Sequence, residues 1–338
     1  MHWSGNRFTG GHWPHWGGIL DWRGEPEPDY KWVQEIGSFY KQWGKVLIST
    51  PVKARAAIIT DFEQRAVLEV YSHTPSKKST NLLAEAFDAF HRNGIGVDAI
   101  HPGRAMQYEN LKTYDIIVIA AAPSLNASAL LPALKQFVEA GGTLIVAPFT
   151  GYQTADGVFR NNGFAADLTE LTGTLVQTVR LLGEPKDISS AAKVNLLNQG
   201  KPLSFKIGME GFTEIMEIKP TAQVLGRFST NEDVMNKLPA ITMMKTGKGK
   251  VFKLAFWPSS NDFTRLLGVF SPSSNSFLKH PLPVGVQAVP RSDMSFFIVN
   301  TLGTKVNVTL NKPMKDRITR TVRSINFILQ PYELLWLE

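Results

Sequence analysis

The chain has 338 residues, 43% hydrophobic and 19% charged, enough apolar material for one large domain or two. No apolar run approaches the roughly 20 residues that a membrane-crossing helix needs, and the net charge of +7 is modest for this length. With no cysteine there is no disulfide, no thiolate nucleophile and no Cys-based zinc site.

The opening MHWSGNRFTGG has no apolar core of signal-peptide type, so a cytoplasmic protein is expected, although sequence upstream is free to carry such a signal. Residues 1–30 hold Trp3, Trp13, Trp16 and Trp22, with His2, His12 and His15 among glycines, and end in GEPEPDY. A segment with so little periodicity builds no core of its own and reads as a loop that packs against something else. His12 and His15 have the spacing of metal ligands, but no third ligand stands nearby. We therefore assign no metal and no cofactor, leaving stacking or substrate-loop chemistry to these tryptophans and histidines.

Residues 29–47 carry Trp32, Val33, Ile36, Phe39, Tyr40 and Trp43 at helical spacing, which predicts an amphipathic helix. Residues 56–60 (AAIIT) form a short buried strand followed by Asp61, Glu63 and Arg65. A helix over 79–93, with Gly94 as its C-terminal cap, leads into a strand over 95–100. The strongest pattern lies in DIIVIAAAPSLNASALLPALKQFVEAGGTLIVAPFTG, residues 115–151. An apolar run over 116–122 stops at Pro123, and Asn126 or Ser128 caps a helix bearing Leu130, Leu131, Leu134, Phe137 and Val138. Gly141 and Gly142 end that helix before a second run over 143–147. Strand, amphipathic helix and strand make a right-handed crossover between parallel neighbours. The expected fold class is thus α/β, a flavodoxin-like doubly wound parallel sheet.

From 151 to 211 the pattern loosens, with a helical turn over 167–172 and an edge strand over 175–181. Strands follow over 214–218, 222–228, 240–245 and 251–256, then a helix over 260–270. The turn KTGKGK at 245–250 lacks the spacing of a phosphate-binding loop and precedes no helix. Short strands over 284–289, 295–300, 305–309, 323–329 and 333–337 compose a small antiparallel β-domain. Its basic residues Lys312, Lys315, Arg317, Arg320 and Arg323 have no interleaved aromatic face, so they are a solvated strand face and not a nucleic-acid site.

Several of these pieces together resemble the C-terminal half of glycoside hydrolase family 42 β-galactosidases. GGILDWRGEP (17–26) resembles the exit from the last barrel strand, and ITDFEQRAVLEV (59–70) the opening of the family's trimerisation domain. FVEAGGTLIVAPFTG resembles its central crossover, and LPAITMMKTGKGKVFKLAFWP the hairpin before the final β-domain. The resemblance implies three parts: a barrel-end remnant at 1–50, a trimerisation-type α/β domain at 51–280 and a C-terminal β-domain at 281–338. It also implies a homo-oligomer, with a trimer favoured, while the charge pattern and the shortness of the apolar runs lead us to expect no nucleic-acid or membrane partner. In that family two glutamates on an N-terminal (β/α)8 barrel hydrolyse the galactoside. Fewer than sixty residues precede the first strand of the next domain here, so neither glutamate is expected in this chain. Trp13 and Trp16 stand where the family often has a glutamate and a histidine contacting sugar. Stacking on a carbohydrate and packing against a barrel are both open to them.

The trimerisation domain in turn resembles class I glutamine amidotransferases, whose nucleophilic cysteine sits on a sharp turn after a strand. Phe149 occupies that turn here, which excludes amidotransfer. A different enzymatic reading places Asp61, Glu63, His101 and Ser124 on three loops at the carboxyl ends of parallel strands, where such sheets bind ligands. Serine nucleophile, histidine base and carboxylate would make a hydrolase for a small ester. Ser124 lacks the Gly-x-Ser-x-Gly elbow, however. On the alternative account Ser124 is a turn residue or cap, His101 a loop residue, and Asp61 and Glu63 partners of Arg65 or Arg104.

Overall fold

The computed structural model describes residues 19–21, 24–71, 79–120, 122–154, 156–161, 163, 166–181, 193–196, 204–206, 212–230, 233–270 and 277–338. The chain divides into two compact units, Met1–Pro51 and Val52–Glu338. The first carries α1 (Tyr30–Ser49), whose apolar stripe matches expectation in position. None of its residues is buried, and Trp32, Ile36 and Tyr40 are each more than half exposed. No helix among the described residues is long and apolar enough to cross a membrane.

The second unit opens with β1 (Ala54–Ile59), α2 (Phe62–Tyr71), α3 (Ser79–Arg92) and β2 (Gly96–Ile100). The short α4 (Pro102–Ala105) and α5 (Tyr108–Leu111) precede the crossover of β3 (Ile116–Ile119), α6 (Ala127–Glu139) and β4 (Thr143–Val146). Next come α7 (Thr169–Thr172), β5 (Thr174–Leu181), β6 (Lys193–Leu196), β7 (Ser204–Lys206) and β8 (Phe212–Ile218). Then follow β9 (Gln223–Ser229), β10 (Pro239–Thr246), β11 (Gly249–Leu254) and α8 (Ser260–Phe270).

Nine strands make one sheet in the order β2-β1-β3-β4-β11-β10-β9-β6-β7. The strands from β2 to β11 run parallel, and alternate residues feed two cores. Ala56 and Ile58 face a core shared with Phe90 of α3 and Phe263, Leu266 and Phe270 of α8. Ala57 and Ile59 face the other, with Leu130, Leu134 and Phe137 of α6. A strand buried on both faces is apolar at every position, which is why AAII and IIVI have no polar phase. The doubly wound parallel sheet that was expected is a mixed one: beyond β11, β10, β9, β6 and β7 add antiparallel. The cause is the tight turn between β10 and β11, since so short a connection joins only antiparallel neighbours. Residues 175–181 also differ from expectation: β5 pairs with β8 in a separate two-stranded ribbon.

The crossover closes as its sequence predicts. Asn126 caps α6 by accepting the Ala129 N–H at 3.2 Å, and Gly141 leaves the helix at φ +122°. Gly249 starts β11 so near this turn that a Cβ would lie 2.2 Å from the Val138 carbonyl oxygen and 2.3 Å from that of Gly142. Only glycine fits there.

Residues 277–338 build β12 (Val286–Pro290), β13 (Phe296–Asn300), β14 (Val306–Thr309), β15 (Met314–Lys315), β16 (Val322–Arg323), β17 (Asn326–Leu329) and β18 (Leu334–Leu337). These form three small antiparallel sheets over a separate core that includes Val286, Phe296, Ile298, Leu310 and Leu337. Within this module the indole N–H of Trp336 donates to Ser295 at 2.8 Å, and the Arg317 guanidinium lies 4.6 Å from its ring centre. A polar joint fastens the module to α3. Asp88 accepts from Ser260 of α8 at 2.8 Å and from Gln287 of β12 at 3.2 Å, while Arg92 donates to the Leu282 carbonyl at 2.8 Å.

At the sheet edge, the Tyr114 hydroxyl donates to Asp98 of β2 at 2.9 Å. Burial first, then this hydrogen bond and the aspartate charge, push its pKa up to about 12. A tyrosine raised on folding stabilises fully below its unfolded value near 10 and loses that contribution as pH rises through the folded value. Stability should therefore fall between about pH 10 and 12, and Tyr114→Phe should flatten that part of the profile. Urea denaturation across that range checks it; an identical slope in the variant would refute the assignment.

Candidate functional site at the carboxyl edge of the sheet

The loops after β1, β2 and β3 hold Asp61, Glu63, His101 and Ser124 at one edge of the sheet. Each has a local task or position. Asp61 Oδ1 accepts the Gln64 N–H at 2.7 Å across the first turn of α2, and Glu63 occupies that turn. His101 caps α4, its Nδ1 accepting the Gly103 N–H at 3.0 Å. Ser124 lies in the turn before α6 and donates its backbone N–H to Gln64 Oε1 at 2.9 Å. The side chain that joins the β1 and β3 loops is thus Gln64, 5% exposed, which sequence reasoning passed over. His12, Trp13, His15 and Trp16 lie outside the described residues.

The chemically unusual group lies deeper, beneath the turn after β4. Phe149 adopts φ +60°, a left-handed conformation that costs a residue with a Cβ roughly 1–3 kcal/mol. It sits on a sharp strand-to-loop elbow, with Gly151 at φ +70° two residues on. The Phe149 N–H donates to Glu214 Oε1 at 3.0 Å, and the Tyr152 hydroxyl donates to the same oxygen. The other carboxylate oxygen meets Lys253 Nζ at 2.5 Å. Lys253 also donates to the carbonyls of Ala147 and Leu254, each at 3.2 Å. Lys253 is 1% exposed and Glu214 0%, so the pair is out of water altogether. Burial lowers the Lys253 pKa, with Glu214 opposing, and burial followed by the Glu214 charge holds the Tyr152 hydroxyl well above the ordinary tyrosine range.

One carboxylate from β8 and one ammonium from β11 therefore clamp the elbow after β4. No water-exposed nucleophile stands at the elbow itself: Phe149 packs partly buried against the core, its ring 5.3 Å from that of Tyr152. A signal for Lys253 exists in the sequence. A lone lysine inside the central-strand run VFKLAFW needs a buried counter-charge. Among the described residues no group of three His, Asp or Glu side chains is arranged to hold a metal ion.

Comparison with known proteins places this arrangement in context. Residues 54–272 match the family described as the β-galactosidase trimerisation domain. The chain is 24% identical over 271 residues to the β-galactosidase BgaP of Planococcus sp. (strain L4), covering 77% of this chain and 36% of that protein. It is 22% identical over 327 residues to the β-galactosidase GanA of Bacillus subtilis (strain 168), covering 94% of this chain and 46% of the relative. Thus the chain spans less than half the length of these curated relatives. The crystal structure of a β-galactosidase from Bacillus circulans sp. alkalophilus shares the fold, with a TM-score of 0.77 and 19% identity over 95% of this chain and 46% of that one.

Removing one partner of a buried ion pair strands the other charge, at a cost of about 3–5 kcal/mol. Glu214→Gln and Lys253→Met should each destabilise by that order. The double variant, which leaves no net buried charge, should be far milder than the sum. Chemical denaturation of the four proteins checks this. Single variants within about 1 kcal/mol of the parent, or effects that simply add, would refute the clamp.

Proposed function

Because the chain belongs to the β-galactosidase trimerisation-domain family, we propose that it serves as the oligomerisation and accessory module of a β-galactosidase-type glycoside hydrolase. The observation that carries this reading is the family match over 54–272, which takes in the whole parallel half of the sheet and the hairpin of β10 and β11. On this reading the hydrolytic glutamates are not among these 338 residues, and the carbohydrate is bound by the assembled enzyme. The expected assembly is a homotrimer. The parallel half is flavodoxin-like and akin to class I glutamine amidotransferases, its strand order 2-1-3-4 with β11 as fifth strand supporting that kinship. The elbow at Phe149 supports it too, as a nucleophile turn without a nucleophile. Residues 51–280 and 281–338 are taken as its two domains, each with its own core. The alternative as an ester hydrolase is weaker, since His101 and Asp61 both act as caps of their own helices.

Two measurements on the purified chain test the proposal. Sedimentation equilibrium at tens of micromolar should give three times the chain mass, and a clean monomer would count against it. Incubation with lactose should release no galactose; release at an enzymatic rate, lost on Phe149→Ala or any other change in this chain, would overturn the accessory role.

A further inference from the structure

Between residues 54 and 272, five large apolar side chains are exposed among the described residues: Phe62, Met106, Val158, Phe159 and Val234, from 42% for Met106 to 74% for Phe62. Single exposed apolar residues are ordinary, so their placement is what carries information. All five stand at one edge of the nine-stranded sheet. Phe62 opens α2 just after β1, Met106 ends α4, which follows β2, and Val158 and Phe159 lie in the loop after β4. Val234 lies between β9 and β10. Because β10 runs antiparallel to β11 and β9 antiparallel to β10, that turn emerges at the same edge as the carboxyl ends of β1 to β4. Hydrogen bonds join neighbouring loops there. The Gln153 N–H donates to the Pro123 carbonyl at 2.8 Å and the Gly151 N–H to that of Ala122 at 2.9 Å, while Ser124 bonds Gln64, two residues past Phe62.

The opposite edge differs in kind. Between the same residues it exposes no large apolar side chain among those described, and it presents Lys112, Asp115, Lys219, Lys245 and Lys248. Interface centres are enriched in aromatic residues and methionine and depleted in lysine and acids, which favours the carboxyl edge. Its polar residues Asp61, Gln64 and His101 cap helices or join loops, which suits a protein surface better than a small-molecule site. From β2 to β10 the edge spans five strand spacings, about 24 Å. A standard interface of about 800 Å² per partner has a similar width. We propose that this edge is one of the two surfaces through which copies of the chain meet, a second copy lying across Phe62, Met106, Val158, Phe159 and Val234. The inference rests on the trimer reading above and adds where the contact lies. A second copy is the occupant because all five side chains fall inside 54–272, and trimerisation is the role that describes the family matched there. The exposed stripe of α1 falls outside that range and in the other compact unit.

The chain has no cysteine, so Val158→Cys and Lys248→Cys each place a single thiol at one edge or the other. Both positions are exposed in the single chain, so a difference in reactivity reads what covers them in the assembly. At tens of micromolar the thiol in place of Val158 should react with a maleimide about tenfold more slowly than that in place of Lys248, since interface cores exclude solvent. In the full chain, Phe62→Asp combined with Val158→Asp should sediment at the mass of one chain, whereas Lys248→Glu should remain trimeric. An acid in the first turn of α2 suits a helix N-terminus, so the unfolding midpoint of the double variant should stay close to the parent's. A trimeric parent with equal reactivity at the two positions, or a double variant that stays trimeric, overturns this inference and leaves the trimer standing. A monomeric parent overturns both.

Discussion

The seam between β4 and β11 is the constraint on which the second unit depends. β4 pairs with β3 of the crossover on one side and with β11 on the other, and β11 pairs in turn with β10. A parallel half built by crossovers and an antiparallel half built by hairpins thus meet along four residue pairs, from Thr143 with Lys250 to Val146 with Lys253. At one end the seam is held by shape, since Gly249 lies against the carbonyls of Val138 and Gly142 where no Cβ fits. At the other it is held by charge, since Lys253 reaches the Ala147 carbonyl and Glu214. Between these ends Leu144, Val146 and Val251 are fully buried on the α6 face, where burial supplies the attraction but no register.

A buried ion pair is an expensive way to hold a sheet together. Desolvation of both groups offsets most of their attraction, and apolar residues of equal volume often serve stability as well or better. Apolar contacts, though, do not discriminate between backbone conformations of the elbow. Glu214 accepts the N–H of Phe149, and Lys253 donates to the carbonyl of Ala147 two residues earlier, so the pair reads the main chain on both sides of Pro148. That is the kind of over-determination under which a left-handed phenylalanine persists. The pair's contribution is specificity of the turn, bought with stability supplied by the two apolar cores.

How far the sequence foretold this follows from the range of each interaction. The buried strands are legible because full burial removes every polar residue from 116–119 and 143–146 save Thr143. α6 is legible because stripe, cap and length agree, and α8 because its stripe and length do. α2 is less so. Phe62, Ala66, Val67 and Val70 have helical spacing, but Asp61, Glu63 and Arg65 among them look equally like a polar loop. β6 and β7 span only four and three residues between glycine-rich and polar stretches, too short for any period to register. The mixed character of the sheet depends on which strands become neighbours, and β4 meets β11 from more than a hundred positions away. Glu214 is hidden for the same reason. Nothing local separates it from Glu217 of the same strand, which is not buried, and only the fold places Lys253 opposite it.

The two polar joints acquire a common purpose in the proposed trimer. A closed ring of three is built from heterologous contacts, in which one surface of each subunit meets a different surface of the next. Closure then depends on the angle between those two surfaces, and a small error in that angle accumulates around the ring. Parts linked through apolar cores alone have no directional restraint between them. The Glu214–Lys253 pair fixes the β5–β8 ribbon against the central sheet, and Asp88 with Arg92 fixes the C-terminal module against α3 and α8. Each joint sits where one core gives way to another, and each is made of hydrogen bonds whose geometry tolerates little rotation. A subunit that must present two surfaces at a set angle needs directional bonds at its internal boundaries more than it needs added stability. The polar groups of this chain are spent there.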